Sequence, residues 1–339
     1  MYLFEFYQGL PLEHESFLLE KYDSFITTCR YIEIYYPTYD VNYFLVYENS
    51  SLIDLFVFGN NGSTSQIFNS LVEIKEDLIV ELIKKIFERF SIIQKVFIDA
   101  SYVGYLLKNS IPLCQSDDYV LNLPLTMDDY YSELGYHTRK NIKNRKVRLQ
   151  KDFQTVNCVT KYGYEIEKPI IVKIIQLNCD RLKHKGIKPD LCDTYIDNIY
   201  KYSLSYGCVS YLEIDGMSVA GCISTIANKG IFIHVIGFDN NYAKNNVGEI
   251  CVFQLVQTSI EKGLTTIHFL WGETELKKRL LAKPHLLFSY LIFRTHSIDY
   301  IITKFKTMCL HAFIHIKQSK YSLPFRQLIK FIEKKIYKM

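Results

Sequence analysis

Residues 211–280 read YLEIDGMSVAGCIS (211–224), GIFIHVIGFD (230–239), NNYAKNNVGE (240–249), ICVFQLVQTSIEKG (250–263), TTIHFLWG (265–272) and ETELKKRL (273–280). The first run is two strands folded about Asp215-Gly216, a dipeptide that favours a two-residue hairpin turn. A further apolar strand, a short polar loop, a helix and a last strand follow, with Gly248 at the mouth of the helix. Backbone N–H groups at a helix start have no intrahelical partner, and the helix dipole favours an anion there. The order strand, loop, glycine-opened helix, strand therefore suits a phosphate-bearing ligand.

The rest of the chain sets the frame for that segment. At 339 residues there is room for two ordinary domains. Hydrophobic residues at 48% and charged residues at 22% make a globular composition. The 27 Tyr and 22 Phe supply large buried area, and tyrosines also line sugar and nucleotide pockets. A net charge of +4 is too small to argue for a nucleic-acid partner. Nine cysteines without a CxxC pair or metal-type spacing read as reduced core thiols of a cytoplasmic protein, with no metal. The start MYLFEFYQGLPLEHES lacks the basic region of a secretory signal, and no apolar run reaches the roughly 18–20 residues that span a bilayer.

Residues 1–125 read as a mixed α/β domain. YFLVYENSSLIDLFVFG (43–59) is a hairpin, LVEIKEDLIVELIKKIFERF (71–90) an amphipathic helix, and KVFIDA and DDYVLNLPL short strands. A second domain over 126–284 opens at Thr126, an N-cap with Asp129 three residues on. That helix is read as continuing through YHTRKNIKNRKVRLQKDF, its C-terminal half dense with Arg139, Lys140, Lys143, Arg145, Lys146, Arg148 and Lys151. Two more helices are expected over 165–184 and 192–206. After Pro284, residues 285–339 are apolar and basic at amphipathic spacing, which reads as a helical C-terminal extension that closes the domain or lies on a membrane surface.

The ordered segment 211–278 resembles the acyl-CoA-binding half of GCN5-related N-acetyltransferases (GNAT), and within them the CelD/BioF2-like branch, whose chains pair two such folds as FemAB proteins do. In that branch the last strand ends in an acidic residue, a glycine- and arginine-containing turn, and Tyr-Lys. Gly272, Glu273 and Lys277 fit that pattern, while His268 stands for the usual Asp, Trp271 for the Arg and Leu276 for the Tyr. The resemblance implies an α/β (α+β) fold of two GNAT-like domains, each a mixed, largely antiparallel sheet flanked by helices, the N-terminal one degenerate.

The resemblance also implies acetyl-CoA or another acyl-CoA as co-substrate, attacked directly by an amine in a ternary complex. It places the thioester beside the strand Ile231–Phe238, with Val235 and Ile236 toward the donor, and the pyrophosphate at Asn245, Asn246, Val247, Gly248 and Glu249. A general base near neutral pH calls for His or a carboxylate. His234, at mid-strand and on the side of Phe232 and Ile236 by alternation, comes first, then Glu213, then His268. Tyr242 is the candidate to protonate the leaving thiolate. Trp271, Glu273, Lys277 and Arg139 are the acceptor-side candidates. The acceptor expected from the family is a small amine, an amino sugar on a nucleotide or lipid carrier in surface-polysaccharide assembly. Two alternatives stand beside this: a FemAB-like transferase fed by aminoacyl-tRNA, and a non-catalytic membrane-surface protein that keeps the fold.

Overall fold

A computed structural model describes residues 2–113, 116–189, 193–272, 274–295, 297 and 300–304. The first elements are β1 (Tyr2–Gln8), α1 (Glu15–Tyr22), α2 (Cys29–Tyr35), β2 (Asp40–Glu48), β3 (Ser51–Asn61), β4 (Thr64–Ile67), α3 (Glu76–Arg89), β5 (Lys95–Ser101), β6 (Ser110–Pro112) and β7 (Ser116–Asn122). There follow α4 (Met127–Glu133), α5 (Tyr136–Asp152), β8 (Val156–Tyr162), α6 (Lys168–His184), α7 (Asp193–Tyr206), β9 (Gly207–Ile214) and β10 (Met217–Ala227). The last are β11 (Gly230–Phe238), α8 (Val247–Glu261), β12 (Thr266–His268), α9 (Glu275–Arg279) and β13 (Lys283–Phe293).

The chain divides into two compact units. One holds Met1–His14, Thr38–Ser116 and the described residues from Leu286 on; the other holds Glu15–Pro37 and Asp117–His285. In the first, strands run in the order β1-β2-β3-β4-β5-β13, antiparallel except for the parallel pair β4/β5. That parallel pair needs a crossover, which α3 supplies. Leu78, Ile79, Leu82, Ile83 and Ile86 bury one stripe of α3, as the spacing predicts. The run from Lys283 departs from the helix expected there: it is a strand, antiparallel to β5 and β6. A short, continuous apolar run has no period that separates helix from strand, and here the unpaired edge of β5 decides. Residues 305–339, where most of the expected C-terminal helix and the membrane contact fall, lie outside the described residues. Among the described residues no helix is long and apolar enough to cross a membrane.

The second unit has the sheet order β7-β12-β11-β10-β9-β8, with β11/β12 parallel and the rest antiparallel. The β9–β10 turn is Asp215-Gly216, both at positive φ (49° and 79°), as the dipeptide demands. The crossover α8 is buried nearly all round, packing with Tyr130 and Leu134 of α4 and Ile142 and Leu149 of α5 on one face of the sheet. On the other face Ile171, Ile174 and Ile175 of α6 and Ile199 of α7 meet Val209, Ile223 and Val235.

Glu15–Pro37, expected within the 1–125 domain, belongs to this second unit. Its polar groups explain the attachment. The Glu15 carboxylate accepts from the Cys29 amide (2.9 Å) and the Tyr206 hydroxyl (2.8 Å). Asp23 Oδ1 accepts from the amides of Lys229 (3.0 Å) and Gly230 (3.1 Å) at the start of β11.

Candidate active site

Two glycines let a helix lie directly on the sheet. Gly221 and Gly237 are register partners on β10 and β11. A Cβ at Gly237 would strike the Ile174 carbonyl and come within 2.9 Å of the Asn178 amide; one at Gly221 would strike the Ile174 side chain. With α6 pressed this close, Asn178 donates from Nδ2 to the Ile236 carbonyl at 2.7 Å.

A β-bulge sits two residues before Ile236. Ile223 pairs with Val235 but Ser224 pairs with Ile233, so His234 is an extra residue on β11. The bulge resets the alternation. Ile231, Ile233, Ile236 and Phe238 pack on the α8 side, whereas Phe25 meets Phe232 (5.0 Å) and His234 (4.8 Å) on the other. His234 therefore shares a side with Phe232, as alternation suggested, but not with Ile236. On the β12 edge, pairing stops at Phe232↔His268, and β11 runs on to Phe238 without a β12 partner. Two cavities adjoin this opening, and Ile233, His234, Phe269 and Trp271 form walls of both.

The larger of these, about 520 Å³, is lined by Ile236, Asn246, Val247, Gly248, Glu249, Arg181, Lys185 and Arg279 among others. Asn246 adopts the left-handed conformation (φ 55°) just before α8, and its carbonyl accepts from the amides of Glu249 (3.0 Å) and Ile250 (3.1 Å). The amides of Val247 and Gly248 precede those bonds, at the positive end of the dipole. A Cβ on Gly248 would reach 2.7 Å from the Phe238 ring, so glycine is what lets the helix start here.

Glu249, which would repel a phosphate if bare, is neutralised. Its Oε1 pairs with Arg145 Nη1 at 2.6 Å and its Oε2 accepts from Arg279 Nη2 at 2.7 Å. Arg181 stands over the Phe238 ring at 5.6 Å, its Nε buried, with no acidic partner among the described residues. Burial pushes its guanidinium below the usual range. A cation in that state, beside a helix start and a net-positive Arg145–Glu249–Arg279 triad, gives this end of the cavity a positive field suited to an anion.

Lys277 is fixed in place rather than offered to a ligand. It is 6% exposed, and Nζ donates toward the carbonyls of Phe269 (3.1 Å), Leu270 (3.1 Å), Trp271 (3.0 Å) and Gly272 (2.6 Å). Burial pushes the ammonium down to about 8, against the opposing pull of Asp118. The lysine thus ties down the loop that carries Trp271, which is 51% exposed at the mouth of both cavities.

The remaining expected residues separate clearly. Burial holds His234 down at about 4, and its Nε2 shares a 2.9 Å bond with Thr225 Oγ1. His268 shares a 2.6 Å bond between Nδ1 and Asp118 Oδ2 and stacks on Phe232 at 4.2 Å; it lines neither cavity. Glu213 is on β9, with β10 between it and β11, so it too is remote from both. Tyr242 packs on Phe153 (5.7 Å) and, with Asn245, lines a separate open hollow of about 680 Å³. Val235 points into the α6 core. Arg139 donates to the Tyr131 carbonyl at 3.1 Å, and the arginine its helix sends toward the cavity is Arg145. Glu273 lies outside the described residues. In the sequence Arg145 reads only as one of the basic residues of its helix; unforeseen were Arg181, Asn178, Arg279 and Asp118, together with the aromatic walls from α2 and α7. The Tyr31/Tyr35 and Tyr195/Tyr202 spacings, each one helical face, are the signal that could have found those walls.

Residues 205–278 match the family model described as an acetyltransferase (GNAT) domain. The chain therefore carries a GNAT-type acyltransferase domain; the α8 start lies within the matched residues, while Asn178, Arg181, Lys185 and Arg279 line the cavity from outside them. Among solved structures, the chain is similar to FemX: 10% identity, TM-score 0.62, covering 86% of this chain and 97% of that one. It is also similar to a conserved protein of unknown function from Bacteroides thetaiotaomicron (13%, TM-score 0.53, 87% and 100%). A third similar structure is L-PGS from Bacillus licheniformis (12%, TM-score 0.52, 86% and 95%). At such identities these likenesses speak for the fold. No curated protein matches the sequence.

Proposed function

We propose that the chain is an acyl-CoA-dependent N-acyltransferase of the CelD/BioF2-like kind, moving an acyl group, acetyl first among them, to a small amine in a ternary complex. The observation that carries this reading is the meeting of two cavities at the bulge of β11, one with a positive field at its helix-start end and the other aromatic-walled. Val247 and Gly248 amides, Arg181 and the Arg145–Glu249–Arg279 triad would hold the CoA phosphates. Bound acyl-CoA supplies a thioester carbonyl carbon. The amine lone pair forms the C–N bond there as the C–S bond breaks, and the proton released by nitrogen ends on the thiolate. Uncapped backbone on the open edge of β11 would donate to the carbonyl oxygen as charge gathers on it. His234 is unprotonated at neutral pH and positions the nucleophile from the shared wall, rather than stripping a proton from a strong base.

Calorimetric titration with acetyl-CoA tests this. Saturable binding is expected, weakened about tenfold or more in Arg181→Gln, since a charge-assisted hydrogen bond contributes about 1.5–3 kcal/mol. No binding by the wild-type chain overturns the acyl-CoA reading. A FemAB-like aminoacyl-tRNA reading is favoured by the FemX likeness and by the exposed Lys140, Lys143, Arg148 and Lys151 of α5. Transfer of a labelled amino acid from charged tRNA, absent acyl-CoA, would put that reading first.

A further inference from the structure

The second cavity at the bulge, about 270 Å³, has its own chemistry. Its walls include Phe25, Tyr31, Tyr35, Tyr195, Tyr202 and Trp271. Tyr31 and Tyr35 stack at 4.4 Å and 25°, and Phe25 stands edge-on to Tyr31 (5.2 Å) and to His234 (4.8 Å). The buried Tyr202 hydroxyl is engaged, donating to the Phe25 carbonyl at 3.1 Å and sharing a 3.0 Å bond with Thr28 Oγ1. Among the described residues no carboxylate or side-chain amide lines the space. It is a slot with apolar faces, smaller than the usual 300–1,000 Å³ of a drug-sized pocket, and so of single-ring size.

The charged and titratable groups around it point one way. On α7, burial pushes Tyr195 up to about 12, and on α2 Tyr35 is pushed up by burial as well, so both present neutral hydroxyls. From α9 and α6, Lys277 and Arg181 line the adjoining cavity as cations, and the Glu249 carboxylate is closed on two arginines. Facing the slot from β11 is His234, held neutral by burial and bonded to Thr225 of β10. An alkylammonium entering here would find no counter-charge among the described lining residues and no base strong enough to make it a nucleophile. An amine that is weakly basic arrives neutral, and its ring can lie on the tyrosine and tryptophan faces.

Resting on the acyltransferase reading above, we propose that this slot is the acceptor site and takes a weakly basic amine borne on a six-membered ring with an apolar face, in preference to an alkylamine. An amino sugar and an arylamine share that chemistry. Phe25, Tyr31 and Tyr35 come from Glu15–Pro37, so this N-terminal segment contributes to acceptor selection.

Trp271 is the single tryptophan of the chain and forms a wall of the slot, so its fluorescence reports occupancy with no donor present. The intact protein is titrated at pH 8.5, where glucosamine and aniline are neutral, with each of these and with cyclohexylamine, which keeps the six-membered ring but stays an ammonium. A saturable change with glucosamine or aniline, about tenfold tighter than with cyclohexylamine, is expected, and whichever of the two responds identifies the source. Tyr31→Leu and Tyr195→Leu, each with an unchanged thermal melt, should each weaken it about tenfold. Equal or tighter binding of cyclohexylamine, no saturable response to any of the three, or wild-type binding by both variants overturns the proposal. Acetyl-CoA calorimetry on the same preparation separates the two readings. Donor binding without a ring-amine response sinks the slot assignment alone. A ring-amine response without donor binding keeps the slot and sinks the acyl-CoA reading.

Discussion

Replacing Lys277 with methionine removes an ammonium that holds four successive carbonyls, Phe269 to Gly272. Two opposed energies follow. The carbonyls of Phe269 and Leu270 are buried, and orphaning each costs about 1–3 kcal/mol. Against this, the ammonium no longer has to be desolvated; the fall of its pKa from 10.5 to about 8 is worth roughly 3 kcal/mol. The terms nearly cancel, so global stability should move by less than about 2 kcal/mol. The loop, however, loses its tether. Trp271 emission should shift to the red, and acyl transfer should fall about a hundredfold, the cost of ångström-scale misplacement. Urea unfolding followed by circular dichroism, Trp271 emission spectra and steady-state kinetics measure the three. The pH dependence adds a signature. Folding depresses the pKa of this base, so the unfolded chain binds the extra proton between pH 8 and 10.5, and wild-type stability rises across that window by up to roughly 3 kcal/mol. Lys277→Met should lack that increment. Wild-type emission and activity in the variant would refute the tether.

His234 gives an acid-side counterpart: with its pKa near 4 in the fold and 6.5 in the unfolded chain, stability is full above pH 6.5 and lost as pH falls toward 4. The wild type should be roughly 2 kcal/mol less stable at pH 5 than at pH 7 through this group, and His234→Gln should erase that share; an identical drop in both would count against it. Glu249→Gln leaves Arg145 and Arg279 confronting each other at 19% and 41% exposure, and should cost about 1–3 kcal/mol, recovered in part by adding Arg145→Met. Gly237→Ala drives a methyl into the α6 backbone and should cost about 2 kcal/mol or more in chemical denaturation, whereas Gly263→Ala, with nothing within 4 Å but φ at +72°, tests backbone strain alone.

Much of the second unit was legible because its periodicity changes cleanly. β10 and β11 alternate or run apolar, α8 is long, and Asp215-Gly216 announces its own turn. The anion-binding start of α8 could be read the same way, since Gly248 and the polar loop are local signals. What failed depended on distant partners. The bulge at His234 inverts the faces beyond it, and no alternation rule contains a bulge. β13 looked like helix because an apolar run carries no period of its own. Lys277 read as a ligand to substrate because the four carbonyls that claim it come from a loop whose shape only the fold determines. Arg139 and Arg145 were indistinguishable within one basic helix until Glu249 selected the second.

The excursion of Glu15–Pro37 into the second unit divides the chemistry along the chain in a way that matters for its ancestry. The stretch that matches the GNAT model, 205–278, carries the helix start and the strand opening, yet Phe25, Tyr31 and Tyr35 lie some 170 residues upstream of its first residue. On the proposed reading, the strand opening and helix start that face the donor and the aromatic walls that face the acceptor would be inherited on largely separate tracts of one gene. Drift or recombination confined to the early tract can exchange one amine for another while the transfer machinery stays fixed. A fragment beginning at Thr126 would keep the matched tract and lose the walls that Phe25, Tyr31 and Tyr35 supply.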